Sequence, residues 1–119
     1  MAWELDNNRS IYGQIIEIIQ KRIVTGEYEA GSKMASVRDL AQEAGVNPNT
    51  MQRALSELER TGIINTQRTS GRYVTDDLGK IGELREQLAG ETVDKLFKEM
   101  GELGYSNQEI QAFLKRRNV

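Results

Sequence analysis

Between Ser36 and Gly62 the chain reads as two short helices with only Gly45-Val46 between them, and little else in the sequence restricts the fold as tightly. Ser36-Val37-Arg38-Asp39 has the form of a capping box with Asp in the reaching position. Val37, Leu40, Ala41 and Ala44 then recur at helical spacing, and Gly45 ends the run. Asn47 is a good N-cap, and Pro48 follows at the first helical position, where its missing N–H costs nothing. Met51, Ala54, Leu55 and Leu58 form one apolar stripe before Gly62 stops the second helix. A short helix, a tight glycine-containing turn and a second capped helix are the pattern of a helix-turn-helix.

The flanking segments fit around this pair. Upstream, Ile11, Tyr12, Ile15, Ile16, Ile18, Ile19, Ile23 and Val24 predict a helix over about 10–25, capped by Ser10 or Asn8 and closed by Gly26. β-branched Ile is a mediocre helix former, so packing must hold this helix. Downstream of Gly62 the period changes. Residues 63–67 and 72–75 are short and β-branched, and Arg68-Thr69-Ser70-Gly71 between them is a turn cluster. The pattern predicts a two-stranded hairpin, a wing, that packs on the helices because a lone hairpin is marginal in water. Trp3 is expected to anchor the N-terminal arm by packing.

From Asp77 the pattern is helical again. Leu78, Ile81, Leu84, Leu88, Leu96, Met100 and Leu103 fall near one face, interrupted by Gly79, Gly82 and Gly90. Gly101-Glu102-Leu103-Gly104-Tyr105 breaks it, and Ser106-Asn107-Gln108-Glu109 is a second capping box. The helix it starts turns Ile110, Phe113 and Leu114 inward and ends in Lys115-Arg116-Arg117, where cations suit the C-terminus. The expected architecture is therefore mostly α with a small β-hairpin. A winged helix-turn-helix domain over 1–75 precedes a two-helix tail over 76–119. So thin a tail is expected to build a homodimer, using Leu84, Leu88, Leu96, Met100, Leu103, Ile110, Phe113 and Leu114.

Composition limits the chemistry. The 119 residues include no Cys and no His. That excludes disulfides, thiolate nucleophiles, Ser-His-Asp catalysis and His- or Cys-based metal sites. A binding protein, not an enzyme, is expected, with no cofactor and no metal. No apolar run approaches the ~20 residues of a membrane span, and the start has no export signal, so the expected location is the cytoplasm. Net charge is −2. Residues 32–75 carry six Lys or Arg against four acids, while 76–119 carry seven basic and nine acidic residues.

A helix-turn-helix with a wing commonly places its second helix in the DNA major groove. With Met51, Ala54, Leu55 and Leu58 facing the core, Asn49, Gln52, Arg53 and Ser56 face outward, with Asn47, Pro48 and Thr50 at the leading end. Asn and Gln pair bidentately with adenine, and Arg with guanine or phosphate. Glu57, Glu59 and Arg60 lie further along, past the useful contact. Arg38 is placed to reach a phosphate or a base edge, and Lys33 a phosphate. Arg68 and Arg72 flank the wing tip, where a cation can lie in the minor groove or on the backbone.

The runs Ile11-Tyr12-Gly13-Gln14-Ile15, Lys33-Met34-Ala35-Ser36-Val37-Arg38-Asp39-Leu40-Ala41 and Gly45-Val46-Asn47-Pro48-Asn49-Thr50-Met51-Gln52-Arg53-Ala54-Leu55, with Leu58-Glu59 and Gly62 beyond, resemble the DNA-binding domain of GntR-family transcriptional regulators over about 9–75. The short tail with Leu103-Gly104-Tyr105-Ser106 resembles the YtrA-like branch. Ser10, Ala35 and Thr69 depart from the family pattern, standing where Pro, Pro and Gly are usual. The resemblance implies DNA contacts from Arg38, from the Asn47–Arg53 region and from the wing around Ser70, Gly71 and Arg72. It also implies dimerisation through the tail on a near-palindromic operator. The expected function is a dimeric repressor. The alternative is a winged-helix protein-interaction module without specific DNA binding. Neither operator nor small-molecule effector is legible in the sequence.

Overall fold

The computed structural model describes residues 3–117. The order is α1 (Ile11–Val24), α2 (Val37–Ala44), α3 (Pro48–Arg60), β1 (Ile64–Gln67), β2 (Gly71–Val74), α4 (Leu78–Glu102) and α5 (Asn107–Arg116). The caps lie where side-chain chemistry puts them. Ser10 Oγ accepts the Gly13 N–H, Ser36 Oγ the Asp39 N–H, Asn47 Oδ1 the Asn49 N–H and Ser106 Oγ the Glu109 N–H. The Ser106–Glu109 box is complete, because the Glu109 carboxylate also takes the Ser106 N–H at 2.9 Å. At Ser36 only the serine half forms among the described residues. The reaching residue there is Asp39, one methylene shorter than Glu. Gly45 closes α2 in the left-handed conformation, φ 75°, which frees the chain to enter α3 three residues later.

The core of the head lies between α1, α2 and α3. Ile15, Ile19 and Ile23 meet Leu40, Ala41, Ala44, Met51, Ala54, Leu55 and Leu58, with Ile63, Ile64 and Val74 from the hairpin. Burial of this Ile-rich face is what holds α1 helical. β1 and β2 pair antiparallel in the register Ile64↔Val74, Asn65↔Tyr73, Thr66↔Arg72 and Gln67↔Gly71. The connector before α2 adds a rung that has no β signature. Lys33 bridges Tyr73, the Val74 N–H donates to Ser32 O, and the Met34 N–H donates to Arg72 O. The wing is thereby supported on the edge facing α2.

The N-terminal arm is tied down. The Trp3 ring is buried, its Nε1–H donates to Glu43, and the Arg22 guanidinium lies 4.6 Å from its centroid. Buried Gln14 holds Asp6 from both ends of its amide, accepting the Asp6 N–H and donating to the Asp6 carbonyl, each at 2.7 Å.

Helix α4 is continuous through all three of its expected interruptions. The chain divides into two compact units between Leu84 and Arg85, inside α4 and not before it. Ile81 and Leu84, the latter expected at a dimer seam, pack against the head core and are half-buried there. In the second unit Ile110 is fully buried and Tyr105 meets Phe113 edge-on at 5.8 Å. Ile110 was also expected at the seam. Its place in the protomer interior removes it from any open surface, because it is the innermost residue of an amphipathic helix. No residue of α4 is buried, and Leu78, Val93 and Leu103 are 73%, 51% and 76% exposed. No helix among the described residues is long and apolar enough to cross a membrane.

Candidate nucleic-acid interface

The buried stripe of α3 determines its exposed one. With Met51, Ala54, Leu55 and Leu58 inside, Asn47, Pro48, Asn49, Gln52, Arg53 and Ser56 are exposed and Thr50 is half-buried. Asn47 spends its side-chain oxygen on the Asn49 N–H at 2.7 Å, so its amide NH2 is the part left for a ligand. Gln52 rests against Ser56 at 3.2 Å, a weak exposed contact that a stronger partner can replace. Arg53 is not a free arm. Its guanidinium lies 4.9 Å from the centroid of the Tyr12 ring, a cation–π contact between α3 and α1. Tyr12, expected as one more member of the helix stripe, is half-buried and carries this cation.

The wing and the start of α2 make a second part of the surface. Lys33, Met34, Ala35, Ser36 and Val37 line one side of a groove of about 580 Å³, and Thr66, Ser70, Gly71 and Arg72 line the other. Five expected contact residues thus come together: Lys33, Ser36, Ser70, Gly71 and Arg72. Two cations and the N-terminal end of α2 give the groove a positive bias. The tip is ordered by the Ser70 N–H donating to Gln67 O and by Tyr73 Oη donating to Ser70 Oγ, both at 3.2 Å. Gly71 holds φ at 110°, and the Lys33 stem passes close to where a Cβ would be added. Arg38 and Arg68 are exposed and outside the lining.

Arg68 and Arg72, equivalent by sequence, differ in the structure. The Arg72 side chain is only 18% exposed, and its Nε donates to Glu59 Oε1 at 2.6 Å. The other Glu59 oxygen accepts from Thr66 Oγ1. Glu59, expected to lie beyond the useful contact, is therefore the wing's anchor on α3. Burial pushes its carboxyl pKa up, but the bonds from Thr66 and Arg72 outweigh this and hold it below the ordinary carboxylate value. The partners lie seven and thirteen residues away, across the helix end and in the hairpin rather than on the same helix. No local pattern announces the contact.

A three-helix head with a paired hairpin, an exposed polar stripe on its second capped helix and a cationic groove at its wing define a winged helix-turn-helix protein. The family comparison agrees. Residues 11–74 match the model of bacterial regulatory proteins of the gntR family. The chain belongs to the GntR family and is a transcriptional regulator, not an enzyme. Over 107 residues it is 37% identical to the HTH-type transcriptional regulator YhcF of Bacillus subtilis, covering 90% of this chain and 88% of that one. It is 39% identical over 90 residues to the HTH-type transcriptional repressor YtrA of the same organism, covering 71% and 69%. A solved GntR family transcriptional regulator from Listeria monocytogenes shares 44% identity and superposes with a TM-score of 0.84, covering 94% of this chain and 98% of that one.

Proposed function

We propose that this regulator is a homodimeric repressor that binds a near-palindromic DNA operator. In this reading Asn49, Gln52 and Arg53 read base edges in the major groove. Asn47, Pro48 and Thr50 follow the backbone at the leading end of α3. Lys33, Ser36, Arg38, Arg68, Ser70, Gly71 and Arg72 hold phosphate or minor groove beside it. The observations that support the reading most are the exposure of the polar stripe of α3 and a groove lined by Lys33 and Arg72. A repressor role is favoured by similarity to YtrA.

Dimerisation is assigned to the second unit. Leu88, Leu96, Met100, Leu103, Phe113 and Leu114 are retained from the sequence expectation, and exposed Val93 joins them. Val93, Leu96 and Leu103 are exposed and Leu88, Met100, Phe113 and Leu114 half-buried, and such apolar side chains on a two-helix unit are best covered by the same surface of a second copy, as a two-fold axis requires. Two heads then meet half-sites about one helical turn, roughly 34 Å, apart.

Selection of binding duplexes from a random library by the full-length protein tests the proposal. The expected product is a two-fold sequence bound by two chains, with log affinity falling linearly in log salt. Recovery of no preferred sequence overturns it.

A further inference from the structure

Glu59 bonds both residues of one rung of the wing. Thr66 and Arg72 are direct cross-strand partners, and each donates to a different oxygen of the same carboxylate, which stands in the last turn of α3. The contact is one rung below the tip, since Gln67↔Gly71 is the next pair. The hairpin is therefore fastened to the helix that carries Gln52 and Arg53, and its opposite edge is fastened to the connector by the Lys33–Tyr73 bridge.

The same bond determines what Arg72 has left to offer. Guanidinium has five N–H donors in a planar fork. Nε is committed to Glu59, so the terminal amino groups are the donors left for a ligand in the groove that Arg72 lines with Lys33 and Ser36. A carboxylate this close to a phosphate-binding surface is otherwise unfavourable, because it repels the ligand.

From this we infer that Glu59 is a positioning residue for DNA binding. It acts through Arg72 alone, presenting that guanidinium to a backbone phosphate. The inference rests on the DNA-binding reading above. It adds a residue whose charge alone predicts the opposite effect.

The test uses full-length protein and the duplex that wild-type protein selects from a random library, titrated across a salt series. Wild type, Glu59→Gln, Arg72→Gln and the double variant are compared. Each single variant is expected to weaken binding about tenfold. Each is also expected to lower the slope of log affinity on log salt by about one phosphate contact. The double variant is expected to bind no more weakly than Arg72→Gln, because Glu59 has no route to DNA except Arg72. Unchanged or tighter binding by Glu59→Gln, an unchanged salt slope, or additive losses overturn the inference. Arg72→Lys supplies a second arm should Glu59→Gln fail to fold. Lys keeps the charge but cannot be held through one nitrogen while offering others, so it is expected to lose as much as Arg72→Gln. Full retention by Arg72→Lys overturns the proposal. A wild-type protein that selects no duplex rejects the DNA-binding reading itself, a result separable from all of these.

Discussion

The Trp3 indole N–H donates to Glu43 Oε2 at 2.6 Å, joining the start of the chain to the far end of α2 across forty residues of sequence. Arg22 completes the cluster, lying over the Trp3 ring and pairing with Glu43 at 3.1 Å and with Glu27 at 3.0 Å. This clasp holds α2, and with it Ser36 and Arg38, against α1. Trp3→Phe keeps most of the ring packing and removes the N–H. We expect a loss of about 1 kcal/mol, read as a Tm decrease of roughly 4–8 °C by calorimetry. An unchanged Tm would show the arm to be stability-neutral.

Acid should loosen the same clasp. The Trp3 hydrogen bond, followed by the Arg22 contact, lowers the Glu43 pKa from its ordinary value despite partial burial. A carboxyl with a depressed folded-state pKa contributes stability that is fully present above the unfolded value, about 4.3. That contribution is lost as pH falls through the lower folded value. Glu59 acts in the same direction. Tm measured from pH 6 down to pH 3 is expected to fall less steeply for Glu43→Gln than for wild type. Parallel curves would remove Glu43 from the acid response.

Leu55 is fully buried under the exposed stripe of α3. Leu55→Ala leaves a cavity between α1 and α3 and should cost about 3 kcal/mol, measured by urea unfolding. A cost below about 1 kcal/mol would mean that the site collapses around the smaller residue.

Gln52→Ala should leave Tm within about 1 °C, because the side chain is exposed and, among the described residues, its hydrogen bond is to Ser56. In duplex selection it should relax preference at one base position per half-site, a discrimination loss of about 1–3 kcal/mol. Arg53→Ala should relax another position and also free the Tyr12 ring. Selection of an unaltered sequence by either variant would remove that residue from base reading.

Leu103 is 76% exposed in the protomer, so Leu103→Glu should not unfold the second unit. Placed at a two-fold seam, it opposes two carboxylates and should shift the chain to monomer in sedimentation equilibrium. Operator affinity should fall with it, since each head then binds its half-site alone. A variant that remains dimeric would move the seam away from Leu103.

The N-caps Ser36, Asn47 and Ser106 and most helix boundaries were legible in the linear order of residues. A helix start depends on a side-chain oxygen two or three positions from the N–H it accepts, as at Ser36, Asn47 and Ser106. The apolar stripes of α1 and α3 follow from the 3.6-residue period, and the wing from its change to short β-branched runs around a turn cluster. These suffice for the winged-helix class, and the polar stripe of α3 follows as the complement of its apolar one.

Folding in three dimensions decided the rest. Glu59 with Arg72, Trp3 with Glu43, Arg53 with Tyr12 and the Lys33–Tyr73 rung join residues at separations that match no local period. Before packing, Arg68 and Arg72 are two equivalent cations beside a turn. After it, one is exposed and the other half-buried against a carboxylate, because the hairpin register turns Arg72 and Thr66 toward α3. Local order governs contacts that close within a helical turn or a hairpin. Contacts between elements depend on how the apolar faces meet, and that geometry is written in no single stretch of the chain.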